Sequence, residues 1–130
     1  MKPANALDGR EFDVRDADID RARALVEQHH YAAGASNTAT HLHGLFRRGE
    51  RELLGVAWWI PPTKAAALAI YPTKWQAVLA LSRTVLVPDL PTNAASYLVG
   101  RSIRIIRRMD PRWECLLTYA DTWREHTGAI

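Results

Sequence analysis

Between Leu79 and Val87 apolar side chains occupy both alternating faces, with Leu79, Leu81, Val85 and Val87 on one and Ala80, Ser82, Thr84 and Leu86 on the other. Such a run predicts a central strand covered on both sides. Pro88 and Pro91 end it, and Thr92 or Asn93 can cap a helix beginning near Ala94. Along that helix Ala95, Leu98, Val99, Ser102, Ile105 and Ile106 repeat at helical spacing and make the packing face. Arg101, Arg104 and Arg108 recur three and four residues apart on another face. Gly100, in mid-helix, costs roughly 1 kcal/mol relative to alanine and so predicts close packing against the sheet.

The preceding chain alternates less cleanly. Glu11 to Arg15, with Phe12 and Val14 on one face, reads as a short first strand. Asp16 or Asp18 can cap a helix buried through Ile19, Ala22, Leu25 and Val26, which ends in Gln28-His29-His30-Tyr31 ahead of Gly34. His41 to Phe46 and Glu52 to Ile60 are strand-like and flank the polar turn 47–51, an antiparallel hairpin. Trp58 and Trp59 close the second strand before Pro61-Pro62, which places at least one indole near a cleft or interface. The alanine-rich stretch 63–73 reads equally as a helical turn or an irregular crossing, broken at Tyr71-Pro72. After Asp110-Pro111 stops the arginine helix, Glu114 to Ala120 is a continuous apolar run suited to a buried strand, ending at Asp121. The fold class is therefore α/β, a mixed and mainly antiparallel sheet flanked by helices, with a ligand crevice beyond the carboxyl ends of the central strands.

A length of 130 residues fits a single domain with a sizeable core. The one cysteine, Cys115, forms no internal disulfide and reads as core packing in a reducing cytoplasm. No run reaches the length of a membrane span. A net charge of +3 permits an anionic partner without demanding one.

Several residues carry candidate chemistry. Arg83 interrupts the central strand, and a guanidinium there needs either a carboxylate from a neighbouring element or an anionic ligand. The amides of the first turn after Asn93, with Ser96 among them, form a generic anion site. The arginine stripe is either a solvated face or a phosphate contact. A histidine at a helix C-terminus is favoured by the dipole, so one of His29 and His30 needs no other role, while His30 and Tyr31 are candidates for acid–base or ligand work. His41 and His43 share a strand face at a metal spacing, but no third ligand is close in sequence. Asp121 can pair with Arg83 or act as a base.

The order of elements, with a basic helix leaving one strand for another beside it, resembles the GCN5-related N-acetyltransferase (GNAT) fold. His30-Tyr31, Leu54-Gly55-Val56-Ala57, Leu81-Ser82-Arg83, Pro91-Thr92-Asn93-Ala94-Ala95-Ser96, the arginine helix and Thr118-Tyr119-Ala120-Asp121 together resemble the Mom family of phage DNA-modification proteins, over about residues 12 to 130. The resemblance implies a phage-encoded transferase that adds a small acyl or carbamoylmethyl-type group to the N6 amine of adenine in DNA, as protection against restriction. It implies His30, Tyr31, Ser96 and Asp121 as catalytic residues, with Asp121 orienting or deprotonating the amine and His30 or Tyr31 as its proton partner. Arg83, Asn93, Ala94, Ala95, Ser96 and Arg101 would hold an anionic donor at the helix start, whether acyl-CoA or another carrier. Arg47, Arg48, Arg104 and Arg108 would contact DNA phosphates, and Trp58, Trp59 or Tyr31 would stack on a flipped base. A His/Tyr/Asp set could instead ligate a non-haem metal such as iron.

Two departures qualify these expectations. The segment Asp89 to Ser96 lacks the glycines of the usual GNAT phosphate loop, which argues against ordinary acetyl-CoA binding. Such proteins also generally continue past Gly128-Ala129-Ile130, so the sequence reads as cut short, or as completed by a partner such as a second copy. An acyl-CoA N-acetyltransferase of small amines or proteins, and a non-catalytic interaction module, are the alternative readings.

Overall fold

A computed structural model describes residues 9–29 and 38–118 and arranges them as one five-stranded sheet with helices on both faces. The elements are β1 (Phe12–Asp16), α1 (Ile19–Gln28), β2 (His41–Arg47), β3 (Gly55–Ile60), α2 (Lys64–Ile70), a 3-10 helix (Pro72–Ala77), β4 (Val78–Leu86), α3 (Ala94–Met109) and β5 (Cys115–Leu117). Strand order in space follows the chain. β1 to β4 form an antiparallel meander, and β5 joins β4 in parallel. The parallel step needs a long crossover, which α3 provides. Among the described residues no helix is long and apolar enough to cross a membrane.

Local chemistry sets the boundaries. Asp18 caps α1 by accepting from the Arg21 amide at 3.0 Å, and Thr63 caps α2 by accepting from Ala66 at 3.2 Å. The stretch that read either way is thus helical, and Tyr71-Pro72 breaks it as expected. The β2–β3 turn closes through Glu50 N–H to Arg47 O, with Gly49 at φ 82 taking the left-handed position. β3 begins at Gly55 rather than Glu52, and a side chain there would meet Leu86 at 2.4 Å and the Val85 carbonyl at 3.0 Å.

β4 departs from the alternation its sequence suggests. Trp58 pairs with Arg83 but Trp59 pairs with Leu81, so Ser82 is an extra residue bulged out of the ladder. The bulge reverses the phase of the strand. Leu79 and Leu81 pack under α3 with Leu45, Trp59, Leu98, Val99 and Ile106. Val85 lies on the opposite face with Leu42, Phe46, Val56, Trp58 and the α1 residues Ala22, Leu25 and Val26. Arg83 therefore faces the α1 side, half buried.

Other expectations are corrected by position. β4 is an interior strand as read, paired with β3 and β5 and buried on both faces, with β3 in the middle of the five described strands. Both Trp58 and Trp59 are buried, each in the core of its own face, so neither borders a cleft. β5 is short and half buried, beside β4 alone among the described residues, so the apolar run there is not a strand covered on both sides, and Cys115 is only half buried. Gly100 faces outward, with nothing within 4 Å of where a Cβ would stand, so no close packing explains it.

Candidate nucleic-acid groove and helix-start cleft

Where β4 ends and α3 begins, a cleft of about 420 Å³ opens between His29 and the segment from Leu86 to Ala95. Asp89 makes the turn that a glycine would otherwise make, at φ 68. An aspartate tolerates that conformation better than most residues, and it places a carboxylate in the cleft wall. Asn93 occupies the N-cap position of α3 without a side-chain capping bond. The Ser96 hydroxyl donates back to the Asn93 carbonyl at 3.1 Å.

The residues expected to hold an anionic donor separate here. Ala94 and Ala95 line the cleft and Asn93 adjoins it. Ser96 and Arg101 instead line a shallow hollow of about 270 Å³ on the outer side of α3, with Tyr97, Gly100 and Arg104. Arg83 is outside the cleft wall, because the Ser82 bulge turns it toward α1, and it is engaged with a neighbour rather than free. His30, Tyr31 and Asp121 lie outside the described residues. His29 lines the cleft as the C-cap of α1, and its buried Nε2 has no hydrogen-bond partner among the described residues.

The arginines come together in a second place. Tyr97, Arg101, Arg104 and Arg108 from α3 and Arg48 from the β2–β3 turn line a groove of about 330 Å³ along β1, with Asp13 and Val14 on its floor side. Arg101 lies 5.2 Å from the Tyr97 ring centre, a cation–π contact that holds the guanidinium along the groove. Tyr97 donates its hydroxyl to the Phe12 carbonyl at 3.2 Å, and Arg48 donates to the Gly9 carbonyl at 2.8 Å, so both walls are anchored to the start of β1. Arg47 is exposed but stands over the Phe12 ring at 5.1 Å and is not part of the groove. Arg48, Arg104 and Arg108 thus meet as expected, Arg101 joins them rather than the cleft, and Arg47 stays apart. Clustered exposed guanidiniums attract a polyanion and bind its phosphates without reading sequence.

The two histidines of β2 do share a face, with ring centres 5.8 Å apart. Each has another use. His41 Nε2 bonds Asp110 Oδ2 at 2.9 Å, where Asp110 caps the end of α3 and also accepts from Trp113 at 3.0 Å. The His41 contact is the main reason the Asp110 carboxyl is held below its usual value. His43 Nδ1 bonds Ser102 Oγ at 2.5 Å, and the Trp59 indole donates to the same oxygen at 2.8 Å. No group of three histidine, cysteine, aspartate or glutamate side chains among the described residues can hold a metal ion.

Tyr97 carries a visible signal, an aromatic four residues before Arg101 on the helix, whereas His29 reads in the sequence only as a helix-end histidine. Asp13 had no local signal, and Ser102 read only as part of the packing face of α3, because strand register and helix docking alone bring them to their partners. The family comparison adds an independent finding. The model of the Mom protein family matches residues 11–130, the described sheet, cleft and groove included. No curated protein matches the chain.

Proposed function

The chain belongs to the Mom protein family, a family of phage DNA modification, and from that premise we propose that it is a transferase acting on adenine in DNA. It adds a small acyl or carbamoylmethyl-type group to the N6 amine and so shields a phage genome from restriction. The observation that carries the reading is that one helix, α3, bears both features the reaction needs: a cleft at its start and an arginine groove along its flank.

In this reading the groove holds the DNA backbone through Arg48, Arg101, Arg104 and Arg108, and the target adenine leaves the base stack to reach the cleft. The stacking partner is neither Trp58 nor Trp59, because both are buried. The exocyclic amine of adenine is a weak nucleophile, since its lone pair is delocalised into the ring. A base must therefore take a proton as the new C–N bond forms and the bond between the transferred group and its carrier breaks, the carrier leaving with that electron pair. Asp121 is assigned that role, with His30 or Tyr31 as proton partner. His30 and Tyr31 directly follow His29, which lines the cleft.

The donor is proposed to occupy the cleft against Asn93, Ala94 and Ala95. The GNAT-like reading draws support from the crossover of β4 through α3 to a parallel β5, paired only over Val78 to Ala80 among the described residues. The Asp89 carboxylate beside the helix start opposes a pyrophosphate there, so the geometry favours a donor less anionic than acyl-CoA. A non-haem metal, if used, would draw on His30, Tyr31 and Asp121.

Nucleosides from the DNA of cells expressing this chain, separated and weighed by mass spectrometry beside the Asp121→Ala variant, test the proposal. A modified deoxyadenosine present with the wild type and absent with the variant is the expected result. Unmodified deoxyadenosine from both overturns it, and thermal stabilisation by acetyl-CoA alone would then favour a conventional acetyltransferase.

A further inference from the structure

The arginine groove does not stop at Arg108. Val14, Ile105 and Arg108 also line a neighbouring cavity of about 380 Å³, completed by Asp16, His41, His43, Arg15 and Met109. Cleft and cavity therefore stand at opposite ends of α3. Its 16 residues rise about 24 Å between them, roughly seven nucleotides of a B-form strand.

His43 is fully buried, yet its Nε2 reaches no hydrogen-bond partner among the described residues. The other half of the ring is held in place. Ser102 Oγ accepts from the Trp59 indole and still has a lone pair and a hydrogen for His43 Nδ1, so either tautomer satisfies that nitrogen. The Asp16 carboxylate that Nε2 faces favours the tautomer with its proton on Nε2. The nearest carboxylate oxygen, Asp16 Oδ1, stands 3.7 Å away, too far for a hydrogen bond, on a side chain 95% exposed. A buried donor left unpaired costs on the order of 1–3 kcal/mol, so a partner entering the cavity is favoured.

The cavity thus offers one fixed donor, one carboxylate acceptor beside it and apolar walls from Val14, Ile105 and Met109, at the end of a phosphate-binding groove. Arg15 is already committed to Asp13 and to the Phe46 ring, so the cavity is not a simple anion site. A ring nitrogen next to an exocyclic amine is the complementary pattern, and adenine and cytosine both carry it. We propose that this cavity receives an unstacked adenine or cytosine of the bound DNA, with His43 Nε2–H donating to the ring nitrogen and Asp16 accepting from the amine. Resting on the DNA reading above, it assigns a second contact, to a base about seven nucleotides from the modified one, through which sequence context is read.

Fluorescence anisotropy with three labelled single strands of equal length tests it: oligo-deoxyadenosine, the same strand built from purine deoxyriboside without the amine, and an abasic strand. The wild type is expected to bind oligo-deoxyadenosine about tenfold more tightly than the purine strand, the loss of one hydrogen bond to a charged group. Asp16→Ala, at an exposed position, should bring oligo-deoxyadenosine down to the purine level and leave the abasic strand unchanged. Arg104→Ala should weaken all three strands alike and flatten the salt dependence by about one phosphate contact. An unchanged adenine-to-purine ratio in Asp16→Ala, or a wild type that does not separate the three strands, overturns the pocket while leaving DNA binding intact. Failure to bind any strand at low salt overturns the DNA reading and the pocket together.

Discussion

The two faces of the sheet share strands and differ in kind. On the α1 side, Leu42, Phe46, Val56, Trp58 and Val85 close against Ala22, Leu25 and Val26. The buried polar side chains among the described residues, His43, Thr84 and Ser102, belong to the α3 side. Apolar contacts are non-directional, so the α1 face contributes burial and tolerates small shifts of its helix. The His43–Ser102–Trp59 bonds are directional, so they fix both the rotation and the slide of α3 on the sheet. That setting determines where Arg101, Arg104 and Arg108 stand relative to Arg48 and β1. The difference teaches that the face carrying a ligand groove is also the one whose helix is pinned by specific bonds.

The largest effect should come from the apolar face. Trp58→Ala empties a fully buried indole site and is expected to cost about 3–5 kcal/mol in urea denaturation. This cost should be similar at neutral and mildly acidic pH, because His43, the fully buried titrating side chain among the described residues, lies on the other face. A cost below about 1 kcal/mol would mean that the α1 side is not a core.

A pH titration of stability should then single out the polar face. Burial chiefly, and His41 in addition, depress the His43 pKa from 6.5 to about 4, against the opposing pull of Asp16. The unfolded chain therefore takes up this proton first as pH falls. Full stability holds above about pH 6.5, declines between about 6.5 and 4, and levels off below, for a total on the order of 3 kcal/mol. His43→Gln should remove that part of the decline, whereas Trp58→Ala should retain it. An identical pH profile in His43→Gln and the wild type would break the assignment.

The smallest effect probes the outer surface of the pinned helix. Since nothing surrounds Gly100, Gly100→Ala should raise stability by about 0.5–1 kcal/mol through helix propensity alone, without altering the pH profile. A loss of stability would indicate that α3 is packed there after all.

Legibility in the sequence followed the range of the forces. The N-cap Asp18, the breaks at Tyr71-Pro72 and Asp110-Pro111, the β2–β3 hairpin and the arginine stripe all rest on contacts within a few residues, and each is found where its pattern predicted. The covered face of α3 was likewise legible through Leu98, Val99, Ser102 and Ile106. Arg83 was misplaced because one bulged residue, Ser82, reverses the phase of everything after it, and a bulge leaves no periodic trace of its own. The tryptophans were placed near a cleft by their proximity to Pro61-Pro62, yet strand register puts each inside a core. The candidate site was half legible. Arg48, Arg104 and Arg108 meet as read, but Ser96 and Arg101 turn away from the cleft that Ala94 and Ala95 line.

By itself the sequence determined the order of elements, the mixed sheet, the basic helix and the family, because these depend on local periodicity, turn chemistry and short motifs in order. Only the tertiary structure decided that His43 meets Ser102 across 59 residues, that Asp16 stands beside the free ring nitrogen, and that Arg48 joins an arginine groove from another element. Those juxtapositions follow from register and helix docking, which are set by the whole core at once and are written in no single segment of the chain.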